Sequence, residues 1–415
     1  MKFALAVHGT RGDVEPCAAV GRELRDRGHD VRMAVPPNLI GFVESAGLPG
    51  AVAYGPDSQA QLDDEFFSEF WRVQNPAALI RRGVDYLTEG WAQMSSALTE
   101  LSDGADLILA GTTYQEVAAN VAEHHGIPFA ALHYFPARVN SSIVPFPVPR
   151  PVVRTVWTAA EWLHWRMLKR AEDEQRRDLG LDRATVRCAR RIVERGALEL
   201  QAYDELFFPG LAAEWHGTRP FTGALTLGLG AADDADVDAW IAAGTPPIYF
   251  GFGSMPVPSP ADAVDMISTT CAELGERALV SAGVWDVAQM SPPPHVKLVG
   301  AVNHASVFPR CRAIVHHGGA GTTAASVRAG VPTVILWVGA DQPVWAVQVK
   351  RLKVGTARRF SSTSGPKLTA ALRVALTPRV QDRARVVSEL VTDAATSVAT
   401  AADLLEEKVG VMAGR

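Results

Sequence analysis

The sequence is poor in cysteine, and it lacks the long apolar runs that mark membrane proteins. The 415 residues include four cysteines, which lie far apart without a CxxC pair or a metal-site spacing: Cys17, Cys188, Cys271 and Cys311. We therefore predict buried thiols in a reducing cytoplasm. No stretch approaches the roughly 18 apolar residues that span a bilayer. The apolar run Phe3–Val7 is too short for a signal-peptide core, so a cytoplasmic location is expected.

The sequence also lacks a strong excess of one charge. The net charge is −5, so no global positive field attracts nucleic acid, and no nucleic-acid partner is expected. The chain has neither a Walker lysine motif nor a Gly-x-Gly-x-x-Gly turn, which makes a kinase-like or nicotinamide-dependent enzyme a poor interpretation.

What the chain does contain is an alternation of apolar runs and helical patterns. Apolar residues make up 47% and charged residues 20%, as in ordinary globular proteins. A first series of predicted strands comprises Phe3–Val7, Val31–Val35, Ala105–Ala110 and Pro128–Leu132. A second series comprises Pro247–Phe252, Leu279–Ser281, Val296–Val299, Ala313–His316 and Thr333–Trp337. Strands that alternate with helices predict doubly wound parallel sheets with helices on both faces.

Length and pattern together predict two domains. A helix-like segment over residues 150–178 carries three tryptophans, and residues 208–220 have the mixed Pro and Gly composition of a linker. We place an N-terminal domain at 1–215, a C-terminal domain at 216–395 and a helical tail at 396–415. The first helix is expected to begin near Glu15, with Pro16 at its first position, and to end at Gly28.

The most informative stretch is a glycine-rich turn after the strand Ala313–His316. The turn contains His317, Gly318, Gly319, Ala320, Gly321 and Thr322, and it opens a helix that ends at Gly330. Free N–H groups and the positive end of a helix dipole bind phosphate groups well. Glycines let the backbone approach a diphosphate, and His317 and Thr322 can donate hydrogen bonds to it. A tight turn with packing glycines is the structural alternative.

Four ordered motifs resemble one enzyme family. His317 to Thr322, followed by Ala340 to Pro343, is similar to the nucleotide-sugar signature of the family that contains the UDP-glycosyltransferases. The stretch Gly9 to Pro16 (GTRGDVEP) resembles the opening motif of the bacterial antibiotic and sterol branches. Pro247 to Met255 and Gly300 to His304 fit the same branch. The overall similarity points to mycobacterial glycopeptidolipid glycosyltransferases and covers essentially the whole chain.

This resemblance implies a GT-B fold, with two Rossmann-like domains that face each other across a cleft. It implies an inverting, metal-independent transfer of a hexose or 6-deoxyhexose from a TDP- or UDP-sugar, with no further cofactor. In agreement, the aspartates at 233, 234 and 236 form no Asp-x-Asp loop suited to a metal.

The resemblance places the general base in the first motif. Many relatives use a histidine where Arg11 stands here, and arginine stays protonated. Asp13 is therefore the predicted base, with His8 as the alternative. Capping of the first helix is the structural interpretation of Asp13, and one carboxylate serves both roles poorly. Thr10, Arg11 and Gly12 are assigned to the diphosphate.

Further donor contacts are predicted at five positions that follow strands. These are Ser254 for a phosphate oxygen, Trp285 and the backbone of Val302 for the nucleotide base, and Asp341 and Gln342 for sugar hydroxyls. The structural alternatives are turn chemistry for Ser254, packing for Trp285 and helix capping for Asp341 and Gln342.

The acceptor is predicted to be a large apolar molecule with a hydroxyl group, such as a glycopeptidolipid, a natural product or a sterol. The aromatic group Phe66, Phe67, Phe70 and Trp71 motivates this prediction, as does the basic, tryptophan-bearing segment 155–170. Phe70, Trp71 and His133 are assigned to the acceptor. Weak contact with a membrane surface stays open, and so does the oligomeric state. An epimerase, a phosphorylase or a non-catalytic nucleotide-sugar-binding protein of the same fold remains the alternative function.

Overall fold

The chain forms two compact units. The computed structural model describes residues 1–63, 83–141, 143, 149, 152–228, 234–253, 259–283, 285 and 290–413. The first unit comprises Met1–Glu205, Gly210–Leu227 and Ala394–Arg415, and the second comprises Leu206–Pro209 and Gly228–Asp393. The first unit thus reaches beyond the expected boundary at residue 215, and it includes the C-terminal segment that we expected to form a separate tail.

Each unit contains a six-stranded parallel sheet. The strands of the first are β1 Lys2–Ala6, β2 Asp30–Val35, β3 Val52–Ala53, β4 Leu107–Ala110, β5 Phe129–His133 and β6 Leu198–Gln201. Those of the second are β7 Ile248–Gly251, β8 Ala278–Ser281, β9 Val296–Val299, β10 Ala313–His316, β11 Thr333–Trp337 and β12 Gly355–Arg359. The central strands are almost fully buried, which explains their continuous apolar sequences.

Helices connect these strands. In the first unit they are α1 Arg11–Asp26, α2 Ile40–Ser45, α3 Ser58–Asp63, α4 Trp91–Leu101, α5 Gln115–His125, α6 Val153–Asp178, α7 Cys188–Glu194 and α8 Leu211–Glu214. In the second they are α9 Asp234–Ala242, α10 Pro260–Leu274, α11 His304–Val307, α12 Ala320–Arg328, α13 Gln342–Leu352, α14 Gly365–Ala375 and α15 Pro378–Ser388. The last helix, α16 Ala394–Ala413, belongs to the first unit, where Arg27 of α1 donates hydrogen bonds to Asp403 and Glu406.

The strand order creates one switch point in each sheet. The first sheet runs β3-β2-β1-β4-β5-β6, and the second runs β12-β11-β10-β7-β8-β9. In each, the chain moves outward from the first strand and then returns to that strand's other side, so β1 lies beside β4 and β7 beside β10. Ligands of such folds bind outside the carboxyl ends of the strands at this point. The loops after β1 and β10 are those that carry the predicted motifs.

The sequence pattern missed or misplaced several elements. Three short strands went unpredicted, namely β3, β6 and β12. In β6 the buried Glu199, which pairs with Arg138 and Arg219, interrupts the apolar pattern. The expected linker at 208–220 is packed structure instead, since Phe208 and Trp215 are buried and the Trp215 ring stacks on Phe221. All four cysteines are free and buried, as predicted.

Candidate active site

In the first unit, the loop after β1 forms the start of α1. Thr10 is the N-cap residue and the helix begins at Arg11, so the prediction of a start near Glu15, with Pro16 in the first position, is wrong. Thr10 Oγ1 accepts the N–H of Gly12 at 3.2 Å, and Asp13 Oδ2 accepts the N–H of Thr10 at 2.8 Å. This capping box satisfies two backbone donors that a helix start otherwise leaves open.

The capping box fixes the carboxylate of Asp13. Its Oδ2 also accepts the hydroxyl of Thr10 at 3.1 Å. Gly9 has φ +143°, and a Cβ at Gly9 would lie 2.3 Å from Asp13 Oδ2, so the glycine is needed for this placement. Asp13 is therefore a capping residue at the third helical position, which replaces the N-cap role considered from the sequence. A carboxylate has about four acceptor sites on two oxygens. A carboxylate that caps a helix can therefore still accept a proton.

His8 lies at the same strand end and is 3% exposed. Its Nε2 lies 3.0 Å from the carbonyl oxygen of Pro56, so Nε2 carries the proton and Nδ1 is the basic nitrogen. Burial lowers the pKa of His8, which keeps the ring neutral at pH 7. The ring of Tyr114 meets it edge to face at 5.2 Å.

Arg11 and Gly12 lie on the exposed side of the first turn of α1. The guanidinium of Arg11 pairs with Glu15 at 3.2 Å and lies 4.6 Å from the centre of the Phe42 ring. These contacts hold Arg11 within the first unit, and they account for its position without a ligand.

His133, which we assigned to the acceptor, lies inside a buried polar network. It has no exposed surface, and its Nδ1 is bonded to Gln201 Nε2 at 3.2 Å. Burial and the nearby Arg138 lower its pKa to about 3, against an opposing effect of Glu199. The assignment needs correction, because a ring with no exposed surface does not meet a dissolved acceptor in this conformation.

In the second unit, the glycine-rich turn connects β10 to α12. Gly319 is the N-cap of α12 and provides no side-chain cap, and the first helical hydrogen bond is that of the Thr323 N–H to the Gly319 oxygen at 2.9 Å. The N–H groups of Ala320, Gly321 and Thr322 precede this bond and have no partner within the helix. A Cβ at Gly321 would meet nothing within 4 Å among the described residues, so there is room beside this residue of the helix start.

His317 lies between this helix start and the end of β7. A Cβ at Gly319 would lie 2.7 Å from His317 Nε2, and one at Gly253 would lie 3.1 Å from His317 Cε1. Burial lowers the pKa of His317 to about 4, against an opposing effect of the Gly251 backbone. Its Nδ1 is buried without a hydrogen-bond partner among the described residues. The side chain is thus neutral at pH 7, and as a neutral imidazole it offers one N–H donor.

Asp341 and Gln342 lie at the start of α13, where Asp341 is the N-cap residue without a side-chain cap bond and Gln342 is the first helical residue. Asp341 Oδ2 accepts the ring N–H of Trp345 at 2.9 Å, and burial raises the pKa of Asp341. Gln342 Oε1 accepts the N–H of Val338 at 2.7 Å and of Gly339 at 3.3 Å. Ala340, directly before Asp341, has φ +53°, a conformation that is uncommon outside glycine and concentrates at functional sites.

Trp285 borders a cavity of about 420 Å³, together with Asp236, Leu298 and Gly300. Its ring stacks on Phe252 at 5.3 Å. The side chain of Val302 is buried in the apolar cluster that includes Val299, so only its backbone remains to contact a ligand. Ser254 lies outside the described residues.

Comparisons with known proteins identify the family of this chain. Residues 3–144 match the glycosyltransferase family 28 N-terminal domain, and residues 251–407 match the erythromycin biosynthesis protein CIII-like C-terminal domain. An uncharacterized glycosyltransferase of Mycobacterium tuberculosis is 59% identical over 98% of this chain and 99% of its own length. Vancomycin aglycone glucosyltransferase of Amycolatopsis orientalis is 31% identical over 99% of this chain and 98% of its own. The chain belongs to this glycosyltransferase family.

Solved structures show that the glycosyltransferase has the GT-B fold predicted from its sequence. The glycotransferase of kitacinnamycin matches with a TM-score of 0.71 at 20% identity, over 98% of this chain and 99% of the other. The glycosyltransferase VinC, solved in complex with dTDP, matches with a TM-score of 0.66 at 17% identity, over 99% of both chains. At these identities the likeness concerns the fold alone.

Two acceptor assignments of the glycosyltransferase, Phe70 and Trp71, lie outside the described residues, as do Phe66 and Phe67. The tryptophan-bearing segment is part of α6. Trp162 is 53% exposed, so it does not face the core of the first unit. The basic residues Lys169 and Arg170 pair with Asp173 and Glu174 one turn later, as on a solvated helix face.

The described part of the glycosyltransferase contains neither a candidate metal-binding group nor a helix that could span a membrane. No group of three or more His, Cys, Asp or Glu side chains there is arranged to hold a metal ion. No helix in these residues is long and apolar enough to cross a membrane.

Three features near the predicted motifs were not predicted from the sequence. Tyr114 has φ +57° at the end of the loop after β4, and Ala340 has the similar conformation given above; neither residue type signals it. His316 is fully buried at the end of β10. The sequence feature that could have indicated a role for His316 is a polar residue at the end of an otherwise apolar strand.

Proposed function

We propose that this glycosyltransferase moves a hexose or 6-deoxyhexose from a TDP- or UDP-sugar to a hydroxyl of a large apolar acceptor, with inversion and without a metal ion. The observation that carries the proposal is the uncapped start of α12 beside His317, at the switch point of the second sheet. Backbone N–H groups and a helix dipole stabilise the charge that develops on a departing diphosphate.

The diphosphate lies against Gly319, Ala320, Gly321 and Thr322 in this proposal. Their N–H groups are the donors, and His317 adds one more N–H. Because burial keeps His317 neutral in the free enzyme, its contribution begins as a hydrogen bond. The negative charge of the bound diphosphate favours protonation of the ring. Thr10, Arg11 and Gly12 remain proposed further contacts of the donor.

Inversion requires the acceptor oxygen to attack the anomeric carbon from the face opposite the diphosphate. The new carbon–oxygen bond forms as the bond to the diphosphate breaks, and the hydroxyl proton passes to a base. We assign Asp13 as this base, because the capping box and Gly9 hold its carboxylate in one position at the switch point of the first sheet. His8 is the alternative, since its Nδ1 is unprotonated and Pro56 fixes its tautomer.

The sugar and the nucleotide base occupy the remaining predicted positions of the second unit. Asp341 and Gln342 contact sugar hydroxyls, although both already accept hydrogen bonds within their own loop. Trp285 lines the 420 Å³ cavity, which suits a stacked nucleotide base, with the Val302 backbone beside it. Ser254 contacts a phosphate oxygen in this proposal.

The acceptor is proposed to be apolar because several relatives and structural neighbours are named for large natural products. One relative is named for the vancomycin aglycone, and solved neighbours are named for calicheamicin and spinosyn. The exposed Trp162 and Leu163 of α6 extend the apolar surface of the first unit. The ion pairs along α6 leave little net positive charge for lipid headgroups, so membrane contact stays a weak component of a cytoplasmic enzyme.

The test is incubation with TDP- and UDP-sugars in the presence of a chelator, with and without a glycopeptidolipid-like, sterol-like or small hydrophilic acceptor. Release of free nucleotide diphosphate that depends on the apolar acceptor supports the proposal. Conversion of the donor sugar without any acceptor would indicate an epimerase. Binding of the donor without turnover on any acceptor would indicate a binding protein.

A further inference from the structure

His316 makes a specific contact with the glycine-rich turn. It is the last residue of β10 and has no exposed surface. Its Nδ1 accepts the N–H of Gly318 at 3.0 Å. The acceptor role of Nδ1 places the single proton of the neutral ring on Nε2, in agreement with a pKa that burial holds well below its usual value.

The second ring nitrogen of His316 has no hydrogen-bond partner among the described residues, which is unfavourable for a buried side chain. His316 Nε2 is buried and has no hydrogen-bond partner in the part of the chain that the structure describes. An unpaired buried N–H disfavours folding, and neighbouring positions of β10, such as Ile314 and Val315, are apolar. Leucine at position 316 would avoid the unpaired N–H. Packing alone therefore does not explain a histidine here. Its particular contribution is the hydrogen bond to Gly318, which an apolar side chain could not form.

The bond holds a turn that has little room to move. Gly318 has φ +100°, and a Cβ there would lie 2.7 Å from Ile335 Cγ2 and 3.3 Å from Gln342 Cβ. The residue before it is His317, and the residue after it is Gly319, the N-cap of α12. The same backbone unit thus sets both the direction of the His317 ring and the direction of the first N–H groups of α12.

We propose that His316 is a positioning residue for the donor diphosphate. Its Nδ1 holds the Gly318 amide so that His317 and the start of α12 present their N–H donors to one point. His316 itself, being buried beneath the turn, does not touch the donor. This inference rests on the proposed function, because it assumes that the diphosphate binds at this turn.

Three substitutions separate this role from packing. In His316→Asn the amide oxygen is separated from Cβ by the same number of covalent bonds as Nδ1 in histidine, so the hydrogen bond to Gly318 can form. In His316→Gln the amide lies one bond further away, and in His316→Leu the acceptor is absent. For each variant we would measure the Kd of TDP and of UDP, the KM for donor and for acceptor, kcat and the melting temperature.

The expected loss of donor affinity depends on whether the side chain at position 316 places a hydrogen-bond acceptor within reach of the Gly318 N–H. His316→Leu and His316→Gln raise the nucleotide Kd and the donor KM about tenfold (about 1.4 kcal/mol), while the acceptor KM is unchanged. His316→Asn stays within about threefold of wild type. If the wild-type enzyme binds a nucleotide and His316→Asn is as impaired as His316→Gln, the positioning role is overturned while the donor site stands. If the wild type binds neither nucleotide, the proposed function and this inference both fail. The Asn and Gln comparison decides the matter even if His316→Leu does not fold.

Discussion

Thr10 and Asp13 cap helix α1 reciprocally, with the Thr10 N–H donating to Asp13 Oδ2 at 2.8 Å and the Gly12 N–H donating to Thr10 Oγ1 at 3.2 Å. A carboxylate that is held in this way has two separable functions. It stabilises a helix start, and it presents an oxygen at the end of β1. The two functions differ in which substitutions they tolerate.

Asp13→Asn is expected to lower turnover by ~10²–10⁴-fold, because an amide cannot take up the proton that the acceptor hydroxyl loses. Stability should change little, since the amide oxygen of asparagine can still accept the N–H of Thr10. Steady-state kinetics and thermal unfolding check both statements, and donor affinity should stay near wild type.

Thr10→Ala is the matched control for this prediction. It removes the capping oxygen at a cost of about 1 kcal/mol but leaves the carboxylate of Asp13. Because Thr10 is also a proposed contact of the diphosphate, the two variants are compared at saturating donor, where Thr10→Ala should retain far more turnover than Asp13→Asn. Equal losses in the two variants would reduce Asp13 to a capping residue. Near-normal turnover of Asp13→Asn would instead move the base to His8.

Asp341 gives a second prediction, which concerns ligand discrimination. Asp341→Ala should weaken binding of the intact nucleotide sugar far more than binding of the free nucleotide diphosphate, because a lost sugar contact affects only the former. Calorimetric titration with both ligands measures the difference. Asp341→Asn is the control for the structural bond, since its amide oxygen can still accept the N–H of Trp345. Equal weakening of both ligands by Asp341→Ala would assign the residue to the loop.

The strands and the glycine-rich turn were predictable because burial on both faces imposes continuous apolar runs. The bounds of β9, β10 and β11 agree with those predicted. The start of α1 was not predictable in the same way, since Pro16 is a common first helical residue and competed with the weaker signal of Thr10 followed by Asp13. The buried network around His133 was missed because its partners Glu199 and Gln201 lie on another strand.

His317 carries the prediction for the donor site. His317→Ala should weaken binding of the nucleotide diphosphate about 10- to 100-fold, the range for a lost hydrogen bond to a charged group. His295→Gln, which changes a histidine of the second unit outside the turn, should leave affinity unchanged. Turnover should also survive excess chelator. Loss of activity on chelation, with recovery on addition of manganese, would contradict the metal-free site.

Four histidines with lowered pKa values predict that acid destabilises the enzyme, and His8, described above, is one of them. Burial lowers the pKa of His133 to about 3 and of His317 to about 4, and it holds that of His316 well below its usual value. Below pH ~6.5 the histidines of the unfolded chain bind protons, whereas these histidines of the folded chain stay neutral until a lower pH. Stability is therefore fully present above pH ~6.5 and is lost as the pH falls towards 4, by up to about 1.4 kcal/mol per pH unit for each histidine.

The measurement is the thermal midpoint between pH 7.5 and 4.5, compared between wild type and His133→Asn. Asparagine keeps an oxygen near the position of Nδ1, where it can still bond to Gln201, but it does not titrate in this range. The variant's midpoint should therefore fall less steeply with decreasing pH. His216→Asn is the control, because His216 is exposed and its φ of +53° is one that asparagine tolerates. If His133→Asn and His216→Asn follow the wild-type curve equally, the buried ring of His133 does not contribute to the acid transition.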